Sequence, residues 1–351
     1  MQLVINTFGT SLRRQGKVFR ILCNSEHTDI AAAKVDSILI TTGAHFSTDA
    51  LELAYEHNID VVLLNKYGEP YGRFWLPRMG STAAIRRNQL ECATSEAGLE
   101  IVREWTVTKL KNQQTFLREL GKRRPKRKND FDKVFKRLDT QIKKLTELTG
   151  SIEEQRQAIL GAEGSAGVGY WQIIGTLPPK NFQFTKRSKH PAEDPFNAML
   201  NYAYGVLYSQ VERACIIAGL DPFVGFLHTD NYNKYSLVYD LIEPFRIWAD
   251  RTVTKLFTGR RCKEEMFDIT KHEINLAKKA KELLLTEFNA YLDDRVRYNV
   301  KTGTKQKTRQ IKRRDCIQAE AHTLANRLLG KEGGIPDVLE SKEVFTENDN
   351  A

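Results

Sequence analysis

At 351 residues and 41% hydrophobic content, the chain is long enough for two domains with cores of their own. Lysine and arginine number 54 against 44 aspartates and glutamates, and the net charge of +10 favours a polyanionic partner, because neutralising phosphates releases counterions. The longest apolar runs fall short of a membrane span and the start, MQLVINTFGT, lacks a basic, cleavable leader, so a cytoplasmic protein is expected, with Cys23, Cys92, Cys215, Cys262 and Cys316 as reduced core residues.

The first part of the chain alternates short β-type runs with turns, at Leu3–Phe8, Lys17–Leu22, Val35–Thr42, Ile59–Leu64 and Tyr71–Leu76. A helix is predicted from about Thr48 to His57, capped by Ser47, with Asp49 and Glu52 suiting the helix dipole. Asn65–Pro70 reads as a turn around Gly68. From Ser81 the periodicity becomes helical, with segments near 82–120, 130–149, 152–175, 195–218, 236–257, 264–298 and 315–330. The expectation is an α+β protein: a small, mainly β domain over residues 1–80, a larger all-α catalytic domain over 81–330, and a tail over 331–351. That tail turns acidic through Glu332, Asp337, Glu340, Glu343, Glu347 and Asp349 and is expected to be disordered.

Two basic runs stand out. KRRPKRK, from Lys122 to Lys128, has six basic residues in seven and is expected to form a Pro-broken loop. Lys301 to Arg314 holds seven basic residues and no acid, and leads into the last helix. Each run is either a DNA contact or a solvated charged stretch.

The common nucleotide, dinucleotide, zinc-protease and EF-hand signatures are missing. Tyr291-Leu-Asp-Asp294 has the look of a polymerase metal motif, but it follows a lysine-rich helical pattern and reads as a helix end. The informative stretch runs from Gly161 to Arg251. In GAEGSAGVGYW, Glu163 lies among small residues that would let a DNA backbone or another helix approach a carboxylate. In DPFVGFLHTDNYNKYSLVYDLIEPFR, His228 ends an apolar run, and Asp240 and Glu243 follow three residues apart on one helical face among apolar neighbours. A half-buried carboxylate in such a setting requires a cation, a metal or several donors. Pro244 cannot donate to the carbonyl of Asp240, so the helix should loosen beside the two acids. If Glu163, His228 and Glu243 converge, two carboxylates and an imidazole suit Mn2+ or Mg2+ with water and phosphate completing the shell.

These segments resemble the CRISPR-associated spacer-acquisition integrase family, the Cas-one proteins. GAEGSAGVGYW is similar to the family's first acidic motif, DPFNAMLNYAYGVL to the helix after it, GFLH to its histidine motif and SLVYDLIEPFR to its second acidic motif. Weaker echoes lie in Phe46–Phe74, at Arg87 and Gln89, and in Ile317–Gly330. The resemblance implies Glu163, His228 and Glu243 as metal ligands and Asp240 as a further acidic member of the catalytic site. It also implies a homodimer assembled through the β domain, and a small Cas-two partner completing a heterohexamer. The implied reaction inserts prespacer DNA into a CRISPR array by attack of a 3′-hydroxyl on a repeat phosphodiester, alongside metal-dependent endonuclease activity. Arg246, Lys312, Arg313 and Arg314 are the expected DNA contacts. Gly121–Asp130 is more basic than the family leads one to expect. The rival readings are a casposon-type transposase, which would usually carry an added C-terminal DNA-binding domain, a sequence-independent repair nuclease, and a DNA-binding scaffold without chemistry.

Overall fold

The computed structural model describes residues 1–331 apart from 25, 58, 75–81, 190, 229–233, 271–272 and 303–304. The expected domain boundary near residue 80 and the acidic tail beyond Lys331 lie outside the described residues.

The N-terminal part contains β1 (Gln2–Ile5), β2 (Ser11–Gln15), β3 (Val18–Cys23), β4 (Glu26–Ala31), β5 (Ser37–Ile40), β6 (His45–Phe46), α1 (Thr48–Glu56), β7 (Asp60–Leu64) and β8 (Pro70–Phe74). One sheet has the order β1-β5-β7-β8, parallel except for β8, and the second has the order β4-β3-β2-β6. Because side chains alternate across a strand, β5 and β7 serve two cores at once. Ile38, Ile40 and Val61 pack with Leu12 and Phe19 of the other sheet and Leu53 of α1, whereas Leu39, Val62 and Leu64 join the helical core. Ser47 caps α1 as expected, its hydroxyl accepting from the Ala50 amide at 3.2 Å, and Gly68 turns the chain at φ +85°. Strands β2, β4 and β6 were not expected. SLRRQ and EHTDIA are too polar for an apolar-alternation signal, and cross-strand pairing alone defines them.

The helical part runs through α2 (Thr82–Cys92), α3 (Glu96–Lys122), α4 (Lys128–Thr146), α5 (Ile152–Ile174), α6 (Pro195–Ile217), α7 (Ser236–Leu241) and α8 (Arg246–Thr258). It continues through the hairpin β9 (Phe267–Ile269) and β10 (Ile274–Leu276), then α9 (Lys278–Asp293), the hairpin β11 (Arg295–Thr302) and β12 (Lys305–Lys312), and α10 (Arg313–Leu328). The α+β architecture stands, with three corrections. The expected helix over 82–120 is two helices, divided where Ser95 caps α3 by accepting from Gly98. The expected helix over 264–298 shrinks to α9, because its flanks pair as hairpins and the catalytic part is therefore not purely helical. The Lys122–Lys128 run is no free loop: it spans the end of α3, a single 3₁₀ turn at Pro125–Arg127 and the first residue of α4.

The two parts are tied together. Arg73 of β8 bonds Asp60 of β7 at 2.7 Å and Glu212 of α6 at 2.8 Å, all three largely buried. Gly205 of α6 lies so close to the 65–70 turn that a Cβ there would run into the Gly68 carbonyl.

Candidate active site

Helix α5 brings Glu163 to its middle. The helix opens with a capping box, Ser151 and Glu154 bonding each other's amides, which offsets the low helix propensity of the glycine-rich stretch that follows. Gly161, Gly164 and Gly167 have nothing within 4 Å of where a Cβ would stand, while Gly169 packs on Val134 and Arg137 of α4. Ala162 and Ala166 are buried in the helical core, so helix packing accounts for them and for Gly169, whereas Gly161, Gly164 and Gly167 leave open space beside Glu163.

The second element is the α7–α8 corner. As Pro244 dictates, α7 ends at Leu241 and a one-turn 3₁₀ helix, Glu243–Phe245, leads into α8. The carbonyl of Pro244 accepts from Asn112 of α3 at 2.9 Å, which holds the corner against the long helix. Asp240 and Glu243 are both buried, at 2% and 4% exposure, and they face different groups.

Asp240 faces the histidine loop. Its Oδ2 accepts the amides of Phe226 at 2.6 Å and Leu227 at 3.0 Å, and its Oδ1 lies 3.2 Å from the His228 amide and 2.5 Å from His228 Nδ1. With the carboxylate accepting, Nδ1 carries the proton and Nε2 keeps its lone pair, the form in which imidazole binds a metal. Arg156 of α5 donates to the carbonyls of Phe226 and Leu227 and closes the loop from the other side.

Glu243 faces Lys109. Lys109 Nζ lies 2.5 Å from Glu163 Oε1 and 2.5 Å from Glu243 Oε2, and Arg246 Nε holds Glu243 Oε1 at 2.7 Å. Burial pushes the Glu243 carboxyl up, but Arg246 and Lys109 outweigh it and bring its pKa down to about 2. Burial likewise works against the charge on Lys109, and Glu163 and Glu243 more than restore it, so its pKa is raised. The two glutamates thus share one cation, while His228 is engaged with Asp240. Among the described residues no three of His, Cys, Asp and Glu are gathered as a metal cluster. The donor chemistry nevertheless fits a hard divalent ion, since two carboxylates already hold a positive charge between them.

Behind the site, Tyr170 of α5 and Tyr204 of α6 donate to the buried Asp250 of α8 at 2.8 and 2.5 Å. Arg246 lies over the Tyr204 and Tyr208 rings at 4.9 and 5.4 Å, and Arg187 over Trp171 and Tyr204 at 5.9 and 5.5 Å. These contacts lock α5, α6 and α8 in register. Arg246, expected as a DNA contact, has a side chain 13% exposed and bonds Glu243. The other three expected DNA contacts also have acidic partners at the end of α9: Lys312 and Arg314 pair with Asp293 at 3.4 and 2.9 Å, and Arg313 with Asp294 at 2.9 Å. The Tyr291–Asp294 tetrapeptide is a helix end, as expected, and its two acids pair with Lys312, Arg313 and Arg314.

Lys109, Asp250 and Arg187 escaped the sequence reading. Lys109 left a trace: Val102, Thr106, Gln113 and Phe116 are buried at helical spacing on α3, and Lys109 sits in that row. With Thr106 and Gln113 polar, only Val102 and Phe116 mark that row as a buried face, against which a lysine calls for a partner. Asp250 and Arg187 left no such signal.

The fold, a two-sheet β part set on a helical part, is shared with solved proteins. The fold matches a CAS1 protein from Thermotoga maritima with a TM-score of 0.76 at 23% identity, covering 95% of this chain and 99% of that one. It also matches a casposase bound to its integration product, with a TM-score of 0.75 at 22% identity and 98% coverage of each chain. The family model described as CRISPR associated protein Cas1 matches residues 3–290, and the chain belongs to that family. It is 32% identical over 319 residues to the CRISPR-associated endonuclease Cas1 1 of Archaeoglobus fulgidus, covering 85% of this chain and 90% of the relative. It is 34% identical over 262 residues to the corresponding Cas1 1 of Pyrobaculum aerophilum, covering 73% and 82%.

Proposed function

We propose that this Cas1-family chain is a metal-dependent DNA integrase and endonuclease of CRISPR adaptation, inserting prespacer DNA into a CRISPR array. The observation that carries the reading is the pair Glu163 and Glu243, brought from two helices onto one cation beside the histidine loop. Membership of a family whose named relatives are CRISPR-associated endonucleases supports the class of reaction.

Glu163, Glu243 and the Nε2 of His228 would hold Mg2+ or Mn2+, which supplies neutralisation of the charge developing on the attacked phosphate. In the reaction a DNA 3′-hydroxyl oxygen bonds to phosphorus, the repeat-strand P–O bond breaks, and the hydroxyl proton passes to water or base while the departing oxygen is protonated. The chain's own part is positioning. Arg246 fixes the Glu243 carboxylate from behind, and Asp240 fixes the tautomer and orientation of His228, acting through it as a positioning residue. The open glycine face of α5 beside Glu163 gives the DNA backbone its approach.

The partners in this reading are prespacer and repeat DNA, a second copy of the chain joined through the β domain, and a small Cas2 protein completing a heterohexamer. Solved relatives of this fold include a Cas6-RT-Cas1–Cas2 complex, with a TM-score of 0.74 at 20% identity. No helix among the described residues is long and apolar enough to cross a membrane, and the reading places the protein in the cytoplasm with the DNA it modifies. The casposase likeness concerns the fold, whereas the full-length relatives above 30% identity are CRISPR-associated and favour the CRISPR branch. The test is strand transfer of a labelled prespacer into a plasmid array in Mg2+ or Mn2+, with Cas2 present. Products joined at the repeat ends support the reading. Equal activity on branched DNA lacking a repeat, with no integration, overturns it in favour of a repair nuclease.

A further inference from the structure

Lys109 reaches the site from α3, its side chain 12% exposed, and places its ammonium 2.5 Å from an oxygen of each glutamate. Two carboxylates this close repel unless a cation lies between them. The contacts differ in kind from those of Arg246. Arg246 is pinned over two tyrosine rings and bonds Glu243 Oε1, whereas Glu243 Oε2 is buried and accepts no directed hydrogen bond, although the Lys109 ammonium lies against it. Lysine is a point charge on a flexible stem, able to withdraw without disturbing the helix that carries it, which the planar and stacked Arg246 is not. The ammonium fills the space between the two oxygens that a divalent ion must enter.

We propose that Lys109 is the resident counter-ion of the metal-free site and that a divalent ion binds by displacing it, so that competition with Lys109 sets the metal affinity. This rests on the reading of Glu163 and Glu243 as ligands. Arg246 keeps Glu243 oriented throughout, and Lys109 leaves both glutamate oxygens to the incoming ion. Without a metal, Lys109 keeps the two carboxylates together. With one, its withdrawal costs affinity in proportion to how fully it was docked.

The test is calorimetric titration of Mn2+ alone into the metal-stripped, full-length protein. Lys109→Met should bind Mn2+ about tenfold more tightly or better, since the site then needs no opening step. Its melting temperature should fall without metal and recover with Mn2+. Lys109→Gln carries the same expectation should the methionine variant fail to fold, and Lys109→Arg, which keeps the charge, should show no such tightening. Unchanged or weaker Mn2+ binding in a folded Lys109→Met or Lys109→Gln overturns the proposal, provided wild-type binding is lost in Glu163→Gln and Glu243→Gln. If those two variants bind Mn2+ as the wild type does, the ligand reading itself fails and the proposal falls with it.

Discussion

His228 Nδ1 and Asp240 Oδ1 stand 2.5 Å apart, and the same carboxylate takes three consecutive backbone amides, so one buried side chain fixes both the histidine and the loop that carries it. Asp240→Ala should therefore act on fold and chemistry together. Leaving the amides unpaired costs about 2 to 4 kcal/mol, read as a lower denaturant midpoint. Asp240→Asn keeps an acceptor and should lose less stability than alanine, yet strand transfer should drop because the tautomer of His228 is no longer dictated. Full strand transfer by the asparagine variant would remove the positioning role.

Chemistry and DNA binding should separate. Glu163→Gln and His228→Ala each delete an expected ligand and leave the basic surface intact, so strand transfer should vanish while salt-sensitive DNA binding persists. Filter binding across a salt series, run beside the integration assay, checks both. Retained strand transfer in Mn2+ by either variant would defeat the ligand assignment.

The ion pairs around Asp293 and Asp294 give the basic segment a graded test. Neutralising Lys312, Arg313 and Arg314 should lower the slope of log affinity against log salt by up to about 2.7, and Asp293→Asn with Asp294→Asn should steepen it by freeing those cations for phosphate. Slopes unchanged in both directions would leave the segment a structural link between α9 and α10.

His322 of α10 is partly buried, and burial lowers its pKa; its Nε2 has no hydrogen-bond partner. A histidine held neutral in the fold takes up a proton more readily when unfolded, so stability should fall as pH drops below about 6.5, the unfolded value, until the folded pKa is passed. Thermal melts between neutral and mildly acid pH should show that loss, and His322→Gln should flatten it relative to the wild type. Parallel curves for the two proteins would refute this.

Gly205 lies where α6 meets the 65–70 turn, with the Gly68 carbonyl in the place of a Cβ. Gly205→Ala should cost about 1 to 3 kcal/mol by forcing that contact apart, although alanine is the better helix former. A stabilised alanine variant would mean the turn yields freely. The β part also packs into the helical core, to which Leu39, Val62 and Leu64 belong. Removing residues 1–80 would strip Leu39, Val62 and Leu64 from that core.

Local chemistry made much of this protein legible in its sequence. Ser47 and Gly68 act within a few residues of themselves, and Pro244 lacks a donor in any context, so the α1 cap, the turn and the break beside the acids were all readable. The paired acids Asp240 and Glu243 were visible as charges out of place in an apolar run. The polar strands β2 and β4 were not, because SLRRQ and EHTDIA carry no apolar alternation of their own and pairing with β3, which lies between them, creates them. Tertiary structure also decided which acid does what. Three residues apart on one helix would put Asp240 and Glu243 on a common face, but the 3₁₀ turn at Pro244 and the loop folding back from Phe226 send one to His228 and the other to Lys109. Lys109 lies 54 residues before Glu163 and still farther from Glu243, and Coulomb attraction in a dry interior selects the partner by distance in space, which spacing along the chain does not contain.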